Sequence, residues 1–119
     1  LALFMASGFF LGYMRDLAPG KEQWIAQYAA GTHFEIRLAH VHGSLFALIN
    51  VAAGYLVMKF PVPAGHARVI SWLALAGLLM PIGIVAHALL AVPPVLVLVG
   101  GTAMIVATLW MSWAAFQFS

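Results

Sequence analysis

Residues 95–118 read VLVLVGGTAMIVATLWMSWAAFQF, a stretch without a single Lys, Arg, Asp, Glu or His. At about 1.5 Å of rise per residue, some 20 apolar residues carry a helix across the roughly 30 Å hydrocarbon core of a bilayer. The run is continuous, whereas the strands of a membrane barrel show short segments of alternating apolar and polar residues. It reads as a spanning helix. Outward from it the rest of the chain has the same character: 65% of the 119 residues are hydrophobic and 7% are charged, with a mean hydropathy of +1.05. A soluble domain carries about 25% charged residues, so this chain has too few to cover a surface facing water.

Upstream of Pro93-Pro94, a third span runs over about residues 67–92 with Pro81 inside it, where a bend is expected. The turn Pro61-Val62-Pro63-Ala64-Gly65 separates it from a second span over about 33–60. Thr32 and Glu35 have the spacing of a capping box at the start of that second span. Residues 21–30 carry Trp24, Ile25 and Tyr28 on one side and read as a short interfacial helix between helices one and two. Leu1 to Asp16 is apolar but short; joined to residues upstream of Leu1 it completes a first span, about 1–16, with Gly8 and Gly12 able to admit a close neighbour. The expected fold is therefore all-α: a polytopic, single-domain bundle of four transmembrane helices.

Charge places the ends. Lys59 and Arg68 flank a short loop without acids, while Arg15, Lys21 and Arg37 are spread through a longer connection with Asp16, Glu22 and Glu35. Basic density beside the helix ends favours the Lys59–Arg68 loop as cytoplasmic, although the raw count of Lys and Arg points the other way. A bacterial inner membrane is the expected location. The net charge of +2 does not suggest a nucleic-acid partner, and the absence of cysteine rules out thiolate ligands and covalent haem attachment.

Chemistry is concentrated in five histidines: His33, His40, His42, His66 and His87. Ionisable residues inside a membrane are costly and mark ligand sites, relays or pathways. His40 and His42 lie early in the second span and His87 late in the third, so antiparallel helices put all three near one membrane face. His33 is at the surface nearby. His66 is at the opposite face, in the basic loop, and reads as solvated. His40 and His42 are about 200° apart around a helix and cannot bind one small ion together. His33, Arg37, His40 and Ser44 share a stripe that continues into Ala47, Val51 and Gly54, suited to a partner helix. His42 has Phe46, Ile49 and Ala53 above it, a wall suited to a flat apolar cofactor.

Two antiparallel helices that each offer an imidazole can hold the iron of a non-covalent haem b between them. The candidate axial ligands are His87 on one side and His42 or His40 on the other. Gly83, one turn before His87, leaves room for the macrocycle, Gly43 beside His42 is counted with it among the cofactor-binding residues, and Arg37 meets the propionates. The segment Ala39-His40-Val41-His42-Gly43-Ser44-Leu45-Phe46 resembles the histidine-glycine motif in the second helix of the main subunit of the haem-copper oxidase superfamily. The resemblance covers this one segment, and it implies that His42 is the haem ligand of a small, distant relative.

With both axial positions filled by histidine, electron transfer is favoured over ligand chemistry. The reading is a membrane haem b protein of electron transport, working with a quinone or a redox partner protein, as a homo-oligomer or a subunit of a larger complex. Two readings stand beside it. One is a structural or assembly subunit with purely structural histidines; the other is a proton or metal-ion carrier using His33, His40 and His87. Asn50, in mid-span, is expected to hydrogen-bond a neighbouring helix. Trp110 and Trp113 read as interface anchors.

Overall fold

The computed structural model describes residues 1–118, and among these every regular element is an α-helix. They are α1 (Ala2–Asp16), α2 (Lys21–Ala26), α3 (Thr32–Lys59), α4 (Ala64–Gly77), α5 (Leu79–Leu90) and α6 (Val95–Phe118). Three helical stretches are long and apolar enough to cross a membrane: α3 with 28 residues, α4 and α5 together with 27, and α6 with 24. Large apolar side chains point outward along them, among them Leu98 at 70% exposed and Met58 at 81%. Lipid accepts such a surface and water does not. The chain is an integral membrane protein.

The helices stand side by side. α4 and α5 pack along α6, α3 packs along α4 and α5, and α1 lies on α3 with α2 beside it. The resulting slab measures 54 × 27 × 18 Å. α1 has 15 residues and reaches about 22 Å, short of the roughly 30 Å of a hydrocarbon core. The described residues thus establish three spans and an added helix rather than a closed bundle of four.

The third span is two helices, not one. Leu78 separates α4 from α5, three residues before Pro81. The proline ring clashes with the carbonyl four residues earlier, that of Gly77, so the break falls a turn ahead of the proline itself. The Leu78 amide bonds Leu75 at 3.0 Å, which leaves the Ala74 carbonyl without its usual i+4 partner. Asn50 of α3 supplies one, donating from Nδ2 to Ala74 at 2.8 Å and to Phe46 at 2.9 Å. The α5–α6 seam is tight for a different reason. A Cβ on Gly83 would lie 2.8 Å from Leu96 Cβ, and one on Gly100 would meet the Met80 main chain.

Two local expectations change. The N-cap of α3 is Gly31 at φ 81°, and no side chain caps the helix; Thr32 is already helical, which takes its hydroxyl out of capping position. The interfacial helix ends at Ala26, earlier than residue 30, and Gln27 closes it on the carbonyls of Trp24 and Ile25.

At the far end, Ile70, Met111 and Ala114 form the buried core, flanked by Leu56, Val57, Trp110 and Phe118. His66 joins them. Its Nδ1 accepts from Trp110 Nε1 at 3.1 Å, and the rings of Trp110, Trp113 and Phe118 surround it at 5.5–6.0 Å. The solvated histidine expected in the basic loop is instead the polar centre of an aromatic cluster. Trp110 uses its N–H inside the protein, because His66 at the start of α4 faces the end of α6.

Candidate functional site

Each of the other four histidines pairs Nδ1 with a main-chain carbonyl. The partners are Trp24 for His33 at 2.6 Å, Phe4 for His40 at 2.7 Å, Leu38 for His42 at 2.9 Å and Val92 for His87 at 2.9 Å. A carbonyl oxygen only accepts, so Nδ1 carries the proton and the neutral ring presents its lone pair at Nε2. An Nδ1–H held by a carbonyl is the usual support behind a histidine that ligates metal through Nε2. In His66 the roles are reversed: Nδ1 accepts, and the neutral ring keeps its proton on Nε2.

Two of the four bonds also tie elements together. His33 fastens α2 to α3; it is 4% exposed, not at the surface, stacked on Trp24 at 4.4 Å with Tyr28 edge-on. His40 fastens α1 to α3 and also touches the Ser7 hydroxyl at 3.0 Å. His87 closes the turn after α5, where Ala91 sits at φ 53°. His42 is different. Its bond to Leu38 stays within its own helix, so among the described residues it links no two elements by hydrogen bonding. Phe46 stands edge-on to its ring at 6.1 Å.

His42 lies on α3 and His87 on α5, two helices that pack against each other. His87 Nε2 lies 3.9 Å from Glu35 Oε1, and Glu35 is two turns before His42 on the same stripe of α3. His87 therefore stands opposite the first turn of α3, about 10 Å along the axis from the level of His42. The sequence had put both at similar depth.

The other candidate residues are engaged elsewhere. The space beside Gly43 is taken by the Phe4 ring, and that beside Gly83 by α6, so neither glycine opens room for a macrocycle. Arg37 stacks over the Tyr28 ring at 3.6 Å and donates to the Tyr28 carbonyl at 2.9 Å. That face of α3 is about 140° from His42, so Arg37 is not placed to meet propionates there.

The sequence did not reveal a cleft of about 610 Å³ between α1, α2 and the start of α3. Gly8, Gly12, Tyr28, His33, Arg37 and His40 line it. The signal was present in the shared stripe of His33, Arg37 and His40, but nothing local shows that α1 and α2 would border it. No group of three or more His, Asp or Glu side chains among the described residues is arranged to hold a bare metal ion. Comparison with known protein families, curated proteins and solved structures finds no match to this chain. Fold and site define a helical integral membrane protein with four of its five histidines gathered at one end.

Proposed function

We propose that this protein binds haem b non-covalently in the membrane and takes part in electron transfer, with His42 as an axial ligand. The observation that carries this is the state of His42. It is a membrane histidine with Nδ1–H held in place, Nε2 presenting a lone pair, and no part in joining helices. An imidazole at this depth is costly without a use. His87, on the neighbouring α5 with its Nδ1–H committed to the Val92 carbonyl, is the second residue that would hold the iron. The imidazole donors suit haem iron in kind, whereas His87 Nε2 stands beside Glu35 and Gly43, Gly83 and Arg37 do not contribute in the manner expected from sequence.

When bound, haem supplies reversible one-electron transfer at iron. The protein's own part is to hold His42 Nε2 in orientation through Leu38, to flank it with Phe46, and to exclude water with the apolar faces of α3 and α5. In this reading α1 is the fourth span, the membrane is a bacterial inner membrane, and the Lys59–Arg68 loop is cytoplasmic. A quinone or a redox protein exchanges electrons with it.

The test is a haemin titration of detergent-purified protein followed in the Soret band. Saturation near one equivalent in wild type and His66→Ala, with loss in His42→Ala, is the expected result. Equal titration curves for all three would sink the assignment. A second reading, a structural or assembly subunit, is favoured by one observation: three of the five histidines tie helices together.

A further inference from the structure

We infer that the cleft between α1, α2 and α3 binds the head group of a quinol, whose two hydroxyls donate to His33 and His40. At about 610 Å³ it is within the usual range for small-molecule sites, roughly 300–1,000 Å³. His33 and His40 are seven residues apart on one stripe of α3, so they are separated by about 10 Å along the helix axis. Both line the cleft, and both have Nδ1–H committed to a carbonyl. In the neutral ring each Nε2 can therefore only accept. Two acceptors lining one cleft call for a ligand with two donors.

A para-dihydroxy aromatic ring carries one donor at each end. The remaining lining narrows the choice. Arg15 and Arg37 border the cleft and oppose a cationic double donor such as a diamine, and both are already engaged, Arg15 with the Asp16 carboxylate and Arg37 with the Tyr28 carbonyl and ring, so the cleft does not call for an anion. Leu11, Ile25 and Val41 supply apolar walls for a ring. The cleft is bordered by α1, α2 and α3 on a chain that presents apolar side chains to lipid, the setting of a ligand that carries an isoprenoid tail. The inference rests on the proposed electron-transfer role only in naming its electron donor; binding itself needs no haem.

Gly12 provides the test. It lines the cleft, and a Cβ built on it meets nothing within 4 Å, so Gly12→Leu fills the cavity without pressing on a neighbour. Decylubiquinol and its bis-O-methyl ether, which lacks both donors, are titrated into detergent-solubilised protein by calorimetry. Saturable quinol binding is expected, weakened at least about tenfold by methylation and abolished by Gly12→Leu. Equal affinity for quinol and ether, unchanged binding in Gly12→Leu, or no saturable binding in wild type would overturn it. The readout is heat, not colour: a colourless preparation that still binds quinol in this pattern defeats the haem reading and supports this one.

Discussion

Asn50 Nδ2 lies 2.8 Å from the main-chain oxygen of Ala74, and this bond joins α3 to the one break inside a spanning helix. The carbonyl is the one that loses its helical partner when the Leu78 amide turns to Leu75. Asn50→Leu removes the donor and leaves that oxygen unpaired in an apolar setting. The expected cost is about 1–2 kcal/mol, at the upper end for interhelical hydrogen bonds in membranes. Thermal unfolding in detergent measures it, and an unchanged Tm would mean that the break needs no support from α3.

Ala91 ends α5 in the left-handed region at φ 53°, where an L side chain brings Cβ close to the following carbonyl. Ala91→Gly is expected to stabilise the protein by about 1 kcal/mol. A raised Tm with the histidine chemistry unaltered checks this.

The α5–α6 seam makes a sharper demand. Gly100→Ala drives a methyl into the main chain of Leu79 and Met80, whereas a Cβ on Gly54 meets nothing within 4 Å. Main chain cannot rotate away as a side chain can. Gly100→Ala is expected to lose about 1–3 kcal/mol or more, and Gly54→Ala to stay near wild type. Parallel denaturation of the two variants decides whether the helices are as close as described.

His66 and Trp110 form a pair that sequence reading treated as two separate surface residues. His66→Ala strands the Trp110 N–H among rings, and the expected cost is about 1–3 kcal/mol. The corresponding Trp110→Phe change removes the donor and is expected to cost less, because His66 Nδ1 can take a water. Equal losses in the two variants would contradict that account.

The elements were largely legible because lipid imposes long apolar runs and proline marks their ends. The α6 bounds, residues 95–118, fall where they were read, and α3 is displaced by one residue at each end. Asn50 bonds a neighbouring helix, as a lone amide in mid-span must. The break at Leu78 was misplaced because proline acts on the carbonyl one turn behind it. Thr32 failed as a cap because Gly31 at positive φ had already turned the chain. The site was less legible, since Nδ1 partners such as Phe4, Trp24 and Val92 come from neighbouring elements or turns, and helical spacing says nothing of them. The stripe containing His40 did face another helix, α1, but its neighbour Gly43 was filled by Phe4.

The account turns on His42. The most direct measurement is the reduced-minus-oxidised difference spectrum of protein purified from cells supplied with haem. The account predicts sharp Soret and alpha bands in wild type and in His66→Ala, and their loss in His42→Ala with helix content retained by circular dichroism. A folded wild-type protein without those bands, or a His42→Ala variant that keeps them, would contradict it.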